Sequence, residues 1–479
     1  EAGGKSFEQL RAAAEEKWEK ELGQIEVEGD YDQVCNLYSS MYHTLINPSV
    51  YMDRDGAYRG LDHEIHQAKD FTNYTVFSVW DTYRALHPLY NLLHPERSRD
   101  IIASMLAHYS QSVHGSLPIW SHMGNENWCM IGYHGVSVVA DAYVKGIPMK
   151  EELALKAVVN SSTIPYLDGT KEYMKLGYVP LEKSGSAASI TLEYGYDDWA
   201  IYNMAEKMGK REVAATYKKR AAAYKHLTDP SSGFIRPKNA AGKWKENFDV
   251  LDTHGQGFIE GNSWNYSFYV PQDVEGLMEA MGGDKRFVER LDSLFTMHLP
   301  EKYYANTEDI TEEGLMGNYV HGNEPSHHIA YLYMWTSQPW KTQYRIREIM
   351  DRMYRNNIDG LCGNDDCGQM SAWYIFSAMG FYPVCPGSDQ YVFGAPYFRE
   401  MKIHLEGGKE LVIKAPKVSS TNRYIKSVRL NGIPYDKAYI THAELMKGGE
   451  LYFEMSSRPN KKRTFTEAQK PYSLNREIR

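Results

Sequence analysis

Four acidic residues in three loops rich in glycine and asparagine are the side chains best suited to proton-transfer chemistry. They are Glu260 in HGQGFIEGNSWNYSFYVPQD (254–273), Glu324 in NYVHGNEPSHH (318–328), and the adjacent Asp365 and Asp366 in GNDDCGQMS (363–371). The aromatic rings beside Glu260 would desolvate its carboxyl group and raise its pKa, as a general acid at neutral pH requires. The two adjacent aspartates would repel each other, so a cation or several donors must hold them if both are ionised. One protonated and one ionised carboxyl group are what cleavage of a glycosidic bond requires.

Each of these acids also has a purely structural explanation. An aspartate near the start of a helix is usually a cap, which stabilises the helix by about 1 kcal/mol. The same layout in three loops, each followed by an apolar helix, favours a shared site over three separate caps. If the helices close into a barrel, loops leading into the inner helices gather at one end and surround one pocket.

A further acid lies in YTVFSVWDTYRALHPLYNLLHP (74–95), which the spacing predicts to be a helix. Taken alone, Trp80 is a core residue there, and Asp81 pairs with Arg84 three positions along the helix. The functional alternative makes Trp80 and Asp81 a sugar-binding pair, because aromatic rings provide apolar platforms with polar rims.

Helical periodicity dominates the chain from residue 7 to about 380. Consecutive helices joined in pairs by short loops, without a repeat of fixed period, predict a closed helical barrel rather than a solenoid. The predicted helices cover 7–22, 31–46, 76–94, 97–113, 128–145, 150–166, 191–208, 211–226, 272–282, 285–298, 326–337, 341–355 and 370–380.

The pattern changes after Phe381, where alternation of apolar and polar residues and turn signals such as Asn431-Gly432 predict short strands. The basic tail RPNKKRTFTEAQKPYSLNREIR has no apolar periodicity, so we expect it to extend away from the core or to wrap over its surface. The fold class is therefore mainly α, with a small C-terminal β region.

Composition excludes several classes of partner. The chain has 479 residues, a net charge of −9 and a pI of about 6.0, which argues against nucleic acid or an anionic membrane surface as the main partner. The sequence contains no run of about 18 apolar residues, so it predicts no membrane span, and no signal peptide is visible. Cys362 and Cys367 flank the aspartate pair at a spacing that would close a small loop, but two free thiols fit equally well, and zinc ligation is not indicated.

Six stretches of the sequence resemble the catalytic domain of glycoside hydrolase family 92, and the resemblance runs from about residue 10 to 460. They are VWDTYRALHPL, LEYGYDDW, EGNSWNYSFYVPQD, HGNEPSHHIAYLY, QPWKTQ and GLCGNDDCGQMSAWYIFSAMGFYPV. The family consists of calcium-dependent exo-α-mannosidases that invert the anomeric configuration, with a β-sandwich followed by an (α/α)6 barrel. The resemblance implies a linker helix at 1–30, the barrel at 31–384, a small β region at 385–460 and the tail at 461–479.

The resemblance also implies a role for each residue that matches a family motif. It makes Glu260 the general acid, Asp366 the general base with Asp365 assisting, Asn323 and Glu324 the calcium-binding segment, Trp80 and Asp81 the contacts to the terminal mannose, and His321 and Gly322 the positions that vary with linkage. Some α-1,2-specific members carry His-Glu at the last pair, so Gly322 argues against strict α-1,2 specificity. Calcium takes oxygen ligands and would act by orienting and straining the sugar more than by activating water.

The resemblance predicts partners and location as well. The substrate would be a mannose-containing glycan of the N-glycan or mannan type, and export to the periplasm, cell surface or medium is expected. No sandwich precedes residue 1, so we expect a β-rich partner on a separate chain, bound by the N-terminal helix, the 385–460 strands and the barrel rim. Two alternatives remain open: a protein that captures glycans without cleaving them, and another inverting (α/α)6 glycosidase of the glucoamylase type.

Overall fold

The computed structural model describes residues 3–303 and 314–477, and these are mainly helical. Its α-helices are α1 (Phe7–Leu22), α2 (Tyr31–His43), α3 (Val79–Thr82), α4 (Leu86–Leu93), α5 (Pro95–Gln111), α6 (Gly135–Val144), α7 (Glu151–Ser161), α8 (Thr170–Leu176), α9 (Ala187–Lys207), α10 (Arg211–Arg220), α11 (Tyr224–Leu227), α12 (Ser263–Tyr266), α13 (Val274–Ala280), α14 (Asp284–Thr296), α15 (Trp340–Met353), α16 (Gln369–Met379) and α17 (His442–Leu445).

Buried and half-exposed helices alternate along the chain. Helices α4, α6, α9 and α16 and the 3₁₀ helix Ile329–Trp335 are buried on nearly all sides, as helices that are apolar all round must be. Helices α2, α5, α7, α10, α14 and α15 bury one face only. Each of these buried segments contacts a half-exposed helix, in the pairs α4–α5, α6–α7, α9–α10, Ile329–Trp335 with α15, and α16–α2. Helix α13, which buries four of its seven residues, contacts α14 in the same way.

The strands are β1 (Ile25–Glu28), β2 (Ser49–Val50), β3 (Ala57–Arg59), β4 (Ile65–Gln67), β5 (Tyr74–Thr75), β6 (Phe77–Ser78), β7 (Trp120–His122), β8 (Asn125–Glu126), β9 (Leu315–Met316), β10 (Tyr319–Val320), β11 (Phe381–Tyr382), β12 (Gln390–Phe393), β13 (Glu400–Leu405), β14 (Lys409–Lys414), β15 (Tyr424–Leu430), β16 (Ile433–Pro434), β17 (Tyr439–Thr441) and β18 (Gly449–Ser456). The largest sheet has the order β1-β13-β14-β18-β15-β16. Burial alternates along β13, β14 and β18, so one face of this sheet packs inward and the other faces out. The predicted C-terminal β region is present.

The largest sheet also includes a strand from the N-terminal segment. Strand β1 pairs antiparallel with β13, and Ile25 lies opposite Ile403. The sequence predicted only a linker helix over residues 1–30. Helix α1 has the predicted bounds, but the residues after it form an edge strand of the C-terminal sheet.

Two predicted helices take a different form. The helix expected over 76–94 is interrupted between α3 and α4, because the backbone N–H groups of Ala85 and Leu86 donate to Oε1 of Gln369 at 2.9 and 3.2 Å instead of to the preceding turn. The helix expected over 326–337 consists of two 3₁₀ helices, Glu324–Ser326 and Ile329–Trp335. The spacing of apolar residues predicts neither a break caused by a distant side chain nor the choice of a 3₁₀ helix over an α-helix.

The C-terminal tail wraps over the helices. Trp335 Nε1 donates to the carbonyl of Tyr472 at 3.0 Å, and Ser473 Oγ donates to Asp273 at 2.9 Å. Leu474 is fully buried. The tail is therefore part of the packed structure and closes the outer side of the helical region.

Cys362 and Cys367 are not joined by a disulfide in the structure, so no covalent bridge closes the loop between them. Burial, together with the nearby charges of Asp81 and Asp366, raises the pKa of Cys367 to about 12. Among the described residues, no helix has the length and apolar character needed to cross a bilayer.

Candidate active site

Two of the predicted loops touch backbone to backbone. A Cβ atom at Gly363 would lie 2.7 Å from both the Cα and the carbonyl oxygen of Gly322, a distance that real Cβ atoms do not reach. Only glycine at position 363 therefore allows the loop with Asp366 to approach the loop with Glu324 this closely.

The third loop is held by an amide side chain. Nδ2 of Asn323 donates to the carbonyl of Glu260 at 2.7 Å, and Oδ1 of Asn323 accepts from the backbone N–H of Glu324 at 3.1 Å. The predicted calcium-segment residue Asn323 thus uses its side chain to join the Glu260 loop to the Glu324 loop.

Both predicted catalytic acids have a left-handed backbone. Glu260 and Asp366 each have a φ of 45°, and Cys367 has a φ of 58°. Such conformations are uncommon for residues with a Cβ, and they persist where the surrounding structure holds them in place. The loops therefore fix the direction of these two side chains at a cost in local strain.

Three carboxylates from separate parts of the chain meet in this region. Asp81, Glu324 and Asp366 each offer an oxygen atom within 4.8 Å of the others. Asp81 and Glu324 are buried, and Asp366 is half-buried. The structure therefore brings together the predicted base, a predicted metal ligand and a predicted sugar contact, and we call these three residues the carboxylate cluster.

Burial raises the pKa of Asp81 well above its ordinary value, and the charges of Asp366 and Glu260 raise it further. Burial also raises the pKa of Glu324 well above its ordinary value, and the charges of Asp81 and Asp366 act in the same direction. Two groups oppose these increases: the Ser78 hydroxyl, which donates to Asp81, and the Arg84 guanidinium. A bound cation would relieve the repulsion, and without one the cluster favours protonation.

The donor set fits a hard divalent cation. Calcium–oxygen distances of about 2.3–2.6 Å allow two ligand oxygens of one ion to lie up to roughly 5 Å apart, which covers the 4.8 Å limit of the cluster. Oε1 of Glu324 is buried and has no hydrogen-bond partner among residues 3–303 and 314–477. A buried carboxylate oxygen without a hydrogen-bond partner is available to bind a cation.

Trp80 is 2% exposed, and its indole N–H donates to both carboxylate oxygens of Glu193 at 3.1–3.2 Å. Arg84 lies over the same ring, 4.9 Å from the ring centroid. The expected pairing of Asp81 with Arg84 is replaced by other contacts, because Asp81 accepts from Ser78 while Nε of Arg84 donates to the Trp80 carbonyl at 3.1 Å.

Two of the predicted site residues use their side chains elsewhere. Asp365 accepts from the backbone N–H of Ser371 at 3.0 Å and from its hydroxyl at 2.7 Å, so it holds the first turn of α16. His321 is fully buried, and its two ring nitrogens lie 2.8 Å from the hydroxyls of Tyr319 and Tyr354. Burial lowers the pKa of His321 well below its ordinary value, so the ring is neutral and part of the wall behind the loop.

Three residues near the site were not singled out from the sequence: Arg84, His134 and Glu193. Arg84 and Glu324 line one small cavity, and Nη2 of Arg84 has no hydrogen-bond partner in the described parts of the chain. Acidic residues among the apolar positions of a long helix, such as Glu193 in α9, are the signal that could have found this group.

Carboxylates brought together from separate segments of a mainly helical domain are the arrangement by which glycoside hydrolases supply an acid and a base. The chain belongs to glycosyl hydrolase family 92, because the model of the family's catalytic domain matches residues 1–457.

Solved structures of family members are similar to the whole chain. The family 92 α-mannosidase BT3965 of Bacteroides thetaiotaomicron is 44% identical with a TM-score of 0.93, over 98% of this chain and 62% of that protein. Its complex with mannoimidazole gives a TM-score of 0.94. The inverting mannosidase BT2199 of the same organism is 39% identical with a TM-score of 0.90, over 99% of this chain and 66% of that protein.

A curated relative from Arthroderma benhamiae, named an uncharacterized secreted glycosidase, is 25% identical over 93% of this chain and 56% of its own length. The chain thus spans slightly more than half of this relative and somewhat less than two thirds of BT3965.

Proposed function

We propose that this chain is the catalytic domain of an exo-acting α-mannosidase that removes terminal α-linked mannose from N-glycan or mannan-type glycans. The observation that carries the proposal is the meeting of the Glu260, Glu324 and Asp366 loops with Asp81 at one site. The identity of 44% with an α-mannosidase supports mannose as the sugar, and the identity of 39% with an inverting mannosidase supports inversion.

The architecture that we infer is an (α/α)6 barrel. Six contacting pairs in which a buried segment meets a half-exposed helix correspond to six inner and six outer helices. In such a barrel the loops leading into inner segments share one end, which agrees with the position of Glu324 before Ile329–Trp335 and of Asp366 before α16.

In the proposed single displacement, Glu260 donates its proton to the glycosidic oxygen as the bond to the anomeric carbon breaks. Asp366 accepts a proton from a water molecule whose oxygen bonds to the anomeric carbon from the opposite face. Asp366 is the least buried member of the carboxylate cluster, so it is the one best placed to meet a solvent water. Trp80 and Asp81 bind the terminal mannose, and Asp365 supports Asp366 by holding the start of α16.

The carboxylate cluster would hold a calcium ion, with Asp81 and Glu324 as the buried ligands and Asp366 beside them. Calcium held there would offset most of the negative charge of the cluster and would supply a positive charge to orient hydroxyl groups of the sugar. The side chain of Asn323 keeps the Glu260 loop against the Glu324 loop, and the absence of a Cβ at Gly363 lets its loop close on Gly322.

The test uses the purified chain, alone and together with the β-rich partner isolated from the native host, with a panel of α-linked mannobioses, followed by proton NMR. We expect release of mannose in the β configuration, loss of activity on chelation and recovery with calcium. Glu260→Gln should lower kcat by about 10³-fold or more while ligand binding persists. Binding of mannosides with no hydrolysis by the wild type would support a glycan-capture protein, and glucoside cleavage that ignores chelation would support a glucoamylase-like enzyme.

The proposed domain works with a β-rich partner and outside the cytoplasm. None of the residues of α1 is buried, and Phe7 and Tyr31 are 75% and 77% exposed, so an apolar surface is available at this end of the chain. A partner seated there and on the C-terminal sheet should bury more than about 2,000 Å². Full activity of the 479-residue chain as a monomer would refute the need for a partner, and secretion assays of the native host would test export.

A further inference from the structure

Helix α9 carries three acidic residues within the stretch that is completely buried. Glu193, Asp197 and Asp198 have no exposed surface. Burying a carboxylate is costly unless a counter-charge and hydrogen bonds satisfy it, so each acid needs an explanation. Asp198 has one in Arg220, whose Nε lies 2.8 Å from Oδ2, and this pair is on the outer side of α9 next to α10.

Glu193 has a different set of partners, drawn from three separate parts of the chain. Its carboxylate accepts from Nε2 of His134 at 3.0 Å, from Nε1 of Trp80 at 3.1–3.2 Å and from the hydroxyl of Tyr266 at 3.3 Å. Two of these donors belong to walls of the proposed active site. Trp80 is the proposed sugar platform, and Tyr266 follows Glu260 by six residues.

Tyr266 supports the loop of the proposed general acid directly. A Cβ atom at Gly261 would lie 3.3 Å from the Tyr266 ring, so the ring packs closely beneath the residue that follows Glu260. Asn262 and Asn265 form a reciprocal capping box at the start of α12, which fixes the turn between them. The hydroxyl that reaches Glu193 therefore belongs to the rigid base of the Glu260 loop.

His134 supplies the counter-charge. Its Nδ1 lies 2.8 Å from Asp197 and its Nε2 lies 3.0 Å from Glu193, so both nitrogens donate, as only the imidazolium can. The pKa of His134 is raised to about 9, because the two carboxylates outweigh burial. The other groups facing this ring are Tyr83, stacked at 4.3 Å, and Tyr196 at 6.3 Å. Beyond Tyr83 lies the guanidinium of Arg84.

We propose that Glu193, held by His134, is a positioning residue that fixes the Trp80 ring and the base of the Glu260 loop relative to each other. The inference rests on the proposed function, because it assigns Trp80 and Glu260 to sugar binding and proton transfer. The observation behind the inference is that the buried carboxylate of Glu193 accepts hydrogen bonds from two walls of the proposed site. Trp80 in one wall is 113 residues away along the chain, and Tyr266 in the other is 73 residues away.

The first test compares Glu193→Gln with Asp198→Asn. Both remove one buried charge from α9, so both should lower the melting temperature. Only Glu193→Gln should also raise KM for a mannobiose and lower kcat, each by about tenfold or more, because hydrogen bonds to a charged acceptor are lost from the pocket wall. Equal effects of the two variants on KM and kcat would overturn the proposal.

A double-mutant cycle with Trp80→Phe separates positioning from general damage. Phenylalanine has no N–H to donate, so in the Trp80→Phe background Glu193→Gln should change KM by less than about threefold. If the effects of Trp80→Phe and Glu193→Gln on KM simply multiply in the double variant, the proposed coupling between the two residues is wrong. If Glu193→Gln does not fold, Tyr266→Phe removes one donor only and should lower kcat more than it raises KM; no effect on kcat would equally overturn the proposal.

A readout without substrate keeps this proposal distinct from the proposed function. The indole ¹⁵N–H signal of Trp80, assigned by its loss in Trp80→Phe, should exchange slowly with solvent in the wild type. It should shift and exchange faster in Glu193→Gln but not in Asp198→Asn. An unchanged signal in Glu193→Gln refutes the positioning role, whereas an inactive wild type with the expected signal change refutes the proposed reaction only.

Discussion

Replacing Glu324 with glutamine should stabilise the metal-free protein and abolish its response to calcium. The substitution keeps the shape of a buried side chain and removes its charge from the carboxylate cluster. Two unit charges 4.8 Å apart repel by about 3.5 kcal/mol at an effective dielectric constant of about 20. Glu324 faces two such neighbours, but protonation already relieves part of this repulsion. We therefore expect a net gain of about 1–3 kcal/mol in the free energy of unfolding.

The size of the effect can be read as a melting temperature. An unfolding entropy of about 2.1 cal/mol/K per residue makes 1 kcal/mol worth roughly 1 °C in a chain of 479 residues. Metal-free Glu324→Gln should therefore melt about 1–3 °C above the wild type. Calcium at about 100 times its Kd should raise the free energy of unfolding of the wild type by about 2.7 kcal/mol, and its melting temperature by close to 3 °C. Both increases should be much smaller in the variant.

The pH dependence has a definite sign. The pKa values of Asp81 and Glu324 are raised in the folded state, so the folded protein binds protons that the unfolded chain has released. The stability of the metal-free protein should therefore fall as the pH rises from about 4 through these raised pKa values. Calcium affinity should increase over the same window, because the ion competes with protons. Glu324→Gln should weaken the pH dependence of the stability and of the calcium affinity.

The assay is differential scanning fluorimetry between pH 4 and 8, with calcium chloride or with chelator, supported by calorimetric titration. Asp365→Asn is the matched control, since Asp365 is an adjacent loop acid whose carboxylate binds Ser371 outside the cluster. It should lower the melting temperature slightly and keep the full calcium shift. A metal-free Glu324→Gln protein that is less stable than the wild type and still gains the full shift would refute the shared cation site.

Three further outcomes are expected. Gly363→Ala should lower kcat/KM more than tenfold by separating two loops, whereas Gly185→Ala, where an added Cβ meets open space, should leave it unchanged in the same assay. Because the pKa of His134 is raised from 6.5 to about 9, its contribution to stability is complete below about pH 6.5 and should be lost as the pH rises through about 9, which urea unfolding from pH 7 to 10 will measure. A crystal structure should show one ordered water in the cavity of about 10 Å³ between Arg84 and Glu324, because both carry a buried polar atom that lacks a partner among the described residues; an empty cavity would contradict this.

Local periodicity predicted most helices because the 3.6-residue pattern is a property of neighbouring residues. Helix α1 has the predicted bounds, and α16 differs by one residue at each end. Strand β1 was missed because its partner Ile403 lies far away along the chain. The break before α4 was missed for a similar reason, since the side chain that captures the backbone N–H groups belongs to Gln369. Long-range partners, rather than weak local signals, account for these two differences.

The candidate site divides in the same way. Glu260, Glu324 and Asp366 could be selected from the sequence because each stands in a polar loop before an apolar helix, where an acid is conspicuous. Glu193 was not selected, because an acid within a helix is ordinarily read as an exposed position.

Helix α9 nevertheless contained the necessary information. Glu193 and Asp197 share one side of the helix and Asp198 lies beside them, and none of the three reaches solvent, so each requires a buried donor or cation. Each buried acid in such a helix needs a hydrogen-bond donor or a cation from another part of the chain. Arginine, histidine, tyrosine and tryptophan are the residues that can supply one. In this protein those partners are Arg220 for Asp198, and His134 together with Trp80, in the wall of the candidate active site, for Glu193.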